Sequence, residues 1–289
     1  MTMDKIEIGN SVEQAINYIS TEASGFLDAI TNGIDFLVIG FQDILLAINP
    51  FVLIGLLAIL TYFLMARHHG LFTKAGFKAG FGMAIFIVLG FLLLYGMKFW
   101  SEAMQTLALV ISSALIALVI GIPLGIWASR NNTVESIVRP ILDFMQTMPA
   151  FVYLIPAILF FSVGNVPGVV ATVVFSLPPA VRLTNLGIRG VAPDVVEASK
   201  SFGATPRQLL FKVQIPLAMP TILAGVNQVI MLALSMVVIA SMVGAAGLGQ
   251  AVYKGILKAD VGLGFEAGLG IVILAIFLDR VTQALAPKK

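Results

Sequence analysis

Residues 103–129 read AMQTLALVISSALIALVIGIPLGIWAS, a run of 27 residues without a charged side chain. A helix needs about 20 mainly apolar residues to cross the hydrocarbon of a bilayer. The run therefore predicts a transmembrane helix. Pro123 does not argue against it, because neighbouring helices in a membrane bundle can satisfy the carbonyl that a proline leaves free.

The rest of the chain repeats this pattern. Apolar residues make up 59% of its 289 residues and charged residues 11%, against about 45–50% and about 25% in soluble domains. These values exclude a soluble globule and a disordered chain. We predict an all-α polytopic membrane protein with about seven transmembrane helices. The predicted spans are 51–66, 79–97, 103–129, 137–163, 167–186, 217–243 and 265–285.

Residues 1–48 differ from the rest, since they contain seven carboxylates and one lysine, Lys5. From 34 to 48, apolar residues alternate with Asp35, Gln42 and Asp43. This pattern is typical of an amphipathic helix that lies in the membrane interface. We predict an acidic, extracytoplasmic, amphipathic segment over 1–48, two accessory transmembrane helices over 49–100, and a third region over 101–289. If 34–48 crossed the membrane, the count would be eight and the amino terminus would change sides.

Positively charged residues set the orientation, because cytoplasmic loops of membrane proteins are enriched in lysine and arginine. With seven spans, 13 of the 17 lysines and arginines fall on one side. The 13-residue side is therefore predicted to be cytoplasmic, with the amino terminus outside and the carboxyl terminus inside.

Several kinds of site are missing from the sequence. There is no cysteine, no H-E-x-x-H and no phosphate-binding G-x-x-x-x-G-K-[ST] loop. The two histidines, His68 and His69, are adjacent and point apart on a helix. We therefore expect no catalytic residue, metal site or cofactor in this chain. Asp143 is the nearest candidate for an intramembrane carboxylate, and it lies close to Arg139, so the energy source is expected outside the chain.

The longest predicted cytoplasmic loop, 190–216, carries clear helix signals. Asp194 and Glu197 have capping-box spacing, and Gly203 suits the left-handed end of a helix. Thr205 is expected to cap a second helix with Pro206 at its first position. The loop is thus predicted to form two short helices over 194–212 with a glycine elbow, and a partner is expected to dock on them.

These residues resemble the E-A-A-x3-G-x9-I-x-L-P motif of the membrane subunits of ATP-binding-cassette importers. Its counterparts here are Glu197-Ala198-Ser199, Gly203, Val213, Ile215 and Pro216. Ser199 replaces an alanine, and Val213 and Ile215 replace similar aliphatics. The resemblance implies that Glu197, Ala198, Ser199, Phe202, Gly203 and Pro216 couple the chain to an ATPase.

From about residue 100 onward the chain resembles the permeases of glycine betaine importers. The resemblance rests on 105–110 (QTLALV), 121–127 (GIPLGIW), 146–153 (QTMPAFVY), 166–171 (VPGVVA), 177–184 (LPPAVRLT), 231–240 (MLALSMVVIA) and 243–249 (VGAAGLG). It implies a five-helix type I importer core, formed by the third to seventh spans and present twice in a homodimer.

The same resemblance implies the partners. These are two cytoplasmic ATPase subunits that bind ATP and Mg²⁺, an extracytoplasmic substrate-binding protein expected as a separate chain, and the lipid bilayer, with no nucleic acid. It places the protein in the cell (inner) membrane of a bacterium or archaeon.

Polar residues in the spans are candidates for the transport path or for interhelical hydrogen bonds. They are Gln146, Thr147, Asn185, Asn227, Gln228 and Ser235. The substrate could also be choline, carnitine or proline betaine. A secondary carrier and a non-transport membrane scaffold remain as alternative functions. A carrier predicts inverted repeats and an intramembrane ion site, and neither is found in the sequence.

Overall fold

The computed structural model describes residues 18, 20–69 and 74–285. Within these ranges all regular structure is helical. The predictions made for the acidic residues before residue 18, and for the carboxyl terminus beyond residue 285, lie outside them. The helices are α1 (Ser24–Ala47), α2 (Pro50–His69), α3 (Lys74–Gly96), α4 (Trp100–Arg130), α5 (Asn132–Thr147), α6 (Leu154–Phe161), α7 (Asn165–Arg189), α8 (Pro193–Ser201), α9 (Pro206–Ser241), α10 (Leu248–Lys258) and α11 (Val261–Leu285).

Seven of the described helices are long and apolar enough to cross a membrane: α1, α2, α3, α4, α7, α9 and α11. The number agrees with the prediction, but the membership differs in two places. The predicted span 137–163 is broken, because α5 and the stretch Ala150–Phe161 meet at 107°. Pro149 lies at the break and cannot donate the backbone hydrogen bond that a continuous helix needs.

The second difference is α1, which begins ten residues before the predicted amphipathic stretch and has the length of a span. Its buried residues, Ile34 and Val38, pack into a cluster with residues of α4 and α7. The second arm of a transmembrane hairpin would pack along its neighbour in the chain. Helix α1 does not pack along α2 in this way. Phe36 and Ile44 stay exposed, so α1 also presents an apolar surface to its surroundings.

The core is built around α7, which packs between α4 and α9. Glycines make the approach of α4 possible: a Cβ added at Gly121 would lie 2.6 Å from the Cβ of Ala180, and one at Gly125 would lie 2.7 Å from the carbonyl oxygen of Val181. Gly121 and Gly125, which are four residues apart, thus allow close helix packing. Gly264 and Gly268, which have the same spacing, have no atom within 4 Å of the added Cβ.

The α2–α3 hairpin lies beside this core and meets it mainly through α11. Phe91 of α3 is fully buried and packs edge-on against Phe277 of α11, with ring centroids 5.5 Å apart. Ile87 and Leu94 complete the buried face of α3 in the same cluster. The hairpin therefore adds a second layer to one side of the core.

Candidate coupling site and transport path

The first of the two short helices predicted over 194–212 is α8, and it starts differently from the prediction. Its N-cap is Ala192, no side chain caps it, and Pro193 occupies the first turn. The predicted capping box of Asp194 and Glu197 is therefore wrong. Proline has no backbone N–H to satisfy and suits the first helical position, so the helix begins two residues earlier than a cap at Asp194 requires. The Glu197 carboxylate has no hydrogen-bond partner among the described residues, and its residue is exposed.

The end of α8 confirms the predicted elbow. Gly203 has φ of +79°, in the left-handed region that disfavours residues with a Cβ. Its N–H donates to the Lys200 carbonyl at 2.9 Å, and the Ala204 N–H donates to the Ser199 carbonyl at 3.1 Å. These two bonds form a Schellman motif, which satisfies carbonyls left free at the end of a helix.

The second coupling helix also starts as predicted. Thr205 accepts from the Gln208 N–H at 3.3 Å, and the Gln208 side chain accepts from the Thr205 N–H at 2.9 Å. Pro206 follows at the first helical position. This capping box fixes where the chain turns back toward the membrane.

This helix, however, does not stop before the sixth predicted span. Residues Pro206–Ser241 form one helix of 36 residues, with a π-helical turn over Leu209–Gln214. Pro216 cannot donate to a carbonyl in the preceding turn. Directly before it, the Ile215 N–H donates to the carbonyl of Leu210, five residues back, and not four residues back as in an α-helix. Widening by one residue lets the helix pass a proline that the sequence indicated as a boundary.

The coupling segment, defined as residues 190–216, has an anchored side and a free side. Leu210 is buried in a cluster with Ile188, Ala218 and Ile222. The free side carries Phe202, whose relative exposure is 93%. Val195, seven residues before it, is also exposed, so the free side presents two apolar side chains.

The coupling residues named in the sequence analysis are thus brought together. Glu197, Ala198, Phe202 and Gly203 are exposed on α8 and its end, and Ser199 is half-buried, with its hydroxyl donating to the Val195 carbonyl at 2.7 Å. Pro216 lies apart from them, two turns along α9.

Ion pairs join α5 to α7, and sequence reasoning missed them. Asp143 pairs with Arg182, and Glu135 pairs with Arg189 at 2.9 Å. Asn185 donates to Glu135 at 2.9 Å, so this candidate path residue belongs to the cluster. Glu135 and Asp143 are eight residues apart, a spacing that puts both on one face of a helix. That spacing was a signal in the sequence, but their partners lie about 40 to 50 residues further along the chain.

The break after α5 holds two further candidates. Gln146 and Thr147 are exposed in the last turn of α5. A short 3₁₀ turn, Ala150–Tyr153, follows and packs in one cluster with Met236 of α9. The Tyr153 hydroxyl donates back across the break to the Met145 carbonyl. Broken membrane helices are typical of binding sites within transporters.

The remaining three candidates lie on α9. Asn227 donates to Asp279 of α11 at 3.0 Å and accepts from Thr282 at 2.6 Å. Gln228 and Ser235 share an exposed stripe with Ala224 and Met231. The Ser235 hydroxyl donates to the Met231 carbonyl at 2.9 Å, whereas the Gln228 amide has no partner within the described part of the chain.

Asp279 was not singled out from the sequence, although it stands inside the predicted span 265–285. A carboxylate in such a run is itself a signal, because a charge within the membrane is costly and usually has a partner. Here the partners are Asn227 and Gln283, whose amide donates to both carboxylate oxygens at 2.8 Å.

The sequence profile described as "Binding-protein-dependent transport system inner membrane component" matches residues 121–289 of this chain. The chain belongs to this family. The matched region of this inner membrane component contains the coupling segment, the broken helix and the polar contacts of α9.

Individual relatives extend the similarity to nearly the whole chain. The glycine betaine/carnitine transport permease protein GbuB of Listeria monocytogenes serotype 1/2a (strain 10403S) is 54% identical over 93% of this chain and 92% of its own length. The glycine betaine transport system permease protein OpuAB of Bacillus subtilis (strain 168) is 48% identical over 99% of this chain and 97% of its own.

A solved structure shows the same fold. It is described as inward-facing conformations of the MetNI methionine ABC transporter (CY5 SeMet soak crystal form), and the matching chain is 25% identical with a TM-score of 0.57. The match covers 63% of this chain and 93% of that one. The predicted fold class, an all-α polytopic protein with a type I importer core, is confirmed. The family member described here is thus a multi-pass transport subunit of the membrane.

Proposed function

We propose that this chain is the membrane-spanning subunit of an ATP-driven importer for glycine betaine or a related quaternary-ammonium osmoprotectant. One observation carries the proposal: GbuB and OpuAB, whose names both specify glycine betaine, match more than nine-tenths of this chain at 54% and 48% identity. Choline, carnitine and proline betaine are the alternative substrates.

The coupling segment supports an ATPase as the energy source. The exposed Phe202 offers an apolar contact, and Glu197, which has no partner among the described residues, offers a charge. Both belong to a coupling segment that Leu210 of α9 anchors to the core. Two separate ATPase subunits, which bind ATP and Mg²⁺, would dock here, one on each copy of the chain. When the ATPase subunits close around ATP, they shift the balance between two conformations of the membrane subunits. This happens only if the docking contacts differ between those conformations.

The exposed stripe of α9 supports a second copy of the chain. An unpartnered glutamine amide facing lipid is unfavourable, since lipid offers no hydrogen bonds. In a homodimer the stripe containing Gln228 and Ser235 faces the partner copy or a path between the copies. Gln146 and Thr147, at the break beside Met236 of α9, would line the same path.

The assembly has a direction. The coupling segment lies in the cytoplasm, in keeping with the 13 of 17 basic residues assigned to that side. We place the carboxyl terminus inside and the amino terminus outside, with α1 in the outer interface, because α1 does not pack along α2. A separate extracytoplasmic binding protein delivers the substrate to the outer face of the cell membrane.

Reconstitution tests this function. The chain is placed in liposomes with its ATPase and binding protein, and uptake of radiolabelled glycine betaine is compared with uptake of choline, carnitine and proline betaine. We expect ATP-dependent uptake that is greatest for glycine betaine, and none when ADP replaces ATP. Uptake by the chain alone, without an ATPase, would overturn the proposal in favour of a secondary carrier.

A further inference from the structure

A groove opens where the α2–α3 hairpin meets α11, and its lining includes none of the coupling segment or of the six candidate path residues. It has a volume of about 440 Å³ and is lined by residues of all three helices, among them Met65, Lys78, Gly82, Met83, Arg280 and Gln283. The wall near Gly82 is open, since a Cβ added there would have no heavy atom within 4 Å. The groove therefore has room for a ligand.

The groove carries two positive charges that the described part of the chain does not neutralise. Lys78 and Arg280 make no ion pair or side-chain hydrogen bond there, and the described ion pairs are formed by Arg182 and Arg189 instead. The carboxylate next in sequence to Arg280 belongs to Asp279, and it is already occupied by Asn227 and Gln283. Two free cations at one groove favour an anion.

Both cations lie toward the ends of their helices, from which long basic side chains can extend to lipid headgroups. Lys78 lies in the second turn of α3, and Arg280 lies five residues before the end of α11. The end of α11 points toward the coupling segment, because α11 runs antiparallel to α9: Thr282 contacts Asn227, whereas Leu278 lines a pocket with Ile230. Lys78 lines the same groove as Arg280 and so lies at the same level. At about 1.5 Å per residue, each cation is within about 8 Å of a helix end.

Apolar side chains continue the groove toward the membrane interior. Met65 and Met83 line both the groove and the narrow crevice beside it, which Leu64 and Val281 extend. Methionine fills irregular space and adapts to flexible apolar partners. A soluble anion would use only the cationic rim, whereas a lipid uses the rim and this apolar wall.

We propose that this groove binds one anionic phospholipid, with its phosphate between Lys78 and Arg280 and its acyl chains over Met65 and Met83. Basic pockets between transmembrane helices recognise such headgroups by charge. The lipid bridges the hairpin and the core at a place where the protein's own contacts leave a gap.

The test uses the purified transport complex, stripped of lipid in detergent, with dioleoylphosphatidylglycerol as the probe. Native mass spectrometry measures lipid bound per chain. The double variant Lys78→Gln/Arg280→Gln is expected to bind the tightest lipid about 25-fold more weakly, because each cation near an anionic headgroup contributes about fivefold. Lys258→Gln, which removes an exposed cation on α10, is the matched control and keeps wild-type binding.

Two further arms identify the source of the anion and the role of the groove. Gly82→Leu keeps both charges but fills the groove, and it is also expected to lose the tight lipid. Inorganic phosphate at millimolar concentration should not displace the lipid, and dioleoylphosphatidylcholine should not replace it. Wild-type lipid binding by both the double variant and Gly82→Leu would overturn the proposal, as would displacement by inorganic phosphate. None of these outcomes depends on which osmoprotectant is transported.

Discussion

Replacing Gly203 by valine tests whether the elbow of the coupling segment is a mechanical part of the transporter. The φ of Gly203 is +79°, and a Cβ added there meets no atom within 4 Å. The substitution therefore adds backbone strain without a clash. A residue with a Cβ loses about 1–2 kcal/mol in the left-handed conformation, which corresponds to about a 5- to 30-fold shift away from the native elbow.

The expected local result is loss of the two Schellman hydrogen bonds made by Gly203 and Ala204. Hydrogen exchange of these two amides should accelerate in Gly203→Val by about the same 5- to 30-fold. ATP-driven uptake by the reconstituted complex should fall, while insertion of the chain is preserved because no membrane helix is altered.

Gly203→Asn is the matched control, because asparagine adopts the left-handed conformation more readily than other residues with a Cβ. It should retain most of the exchange protection and the uptake. If valine and asparagine behave alike at equal expression, strain at the elbow has no mechanical role and the reasoning fails.

Three further predictions concern the coupling charge, the helix packing and the topology. Because the Glu197 carboxylate caps nothing, Glu197→Gln and Glu197→Ala should lower ATPase stimulation by loaded binding protein equally; a defect in alanine alone would contradict a charge contact. Gly125→Ala should destabilise the detergent-solubilised protein by about 1–3 kcal/mol through overpacking, whereas Gly55→Ala, at an open position, should leave thermal unfolding nearly unchanged. In intact cells an impermeant thiol reagent should label Lys254→Cys and not Lys74→Cys; the reverse pattern would invert the proposed orientation.

Local rules explain which features were predictable from the sequence. Length and polarity alone were enough to predict the membrane helix over 103–129. The residue preferences of helix ends were enough to predict the elbow at Gly203 and the helix cap at Thr205, and the structure confirms both.

The features that were missed depend on contacts between distant parts of the chain. The ion pairs of α5 with α7 require knowledge of which helices are neighbours, and so does the contact of Asn227 with Asp279. Pro149 and Pro216 look alike as helix breakers in the sequence. The chain bends by 107° at the first, yet at the second a π turn absorbs the defect. A proline in the sequence therefore does not by itself show whether the helix bends or continues.

The continuity of α9 has a mechanical consequence. One continuous helix of 36 residues is about 54 Å long. It has the start of the second coupling helix at one end and the Gln228–Ser235 stripe further along. A tilt of about 5° about its midpoint displaces each end by about 2 Å, as follows from that length. A movement of the cytoplasmic end is therefore transmitted directly to the polar stripe, because no loop separates the two. A single helix thus connects the coupling segment to the candidate transport path.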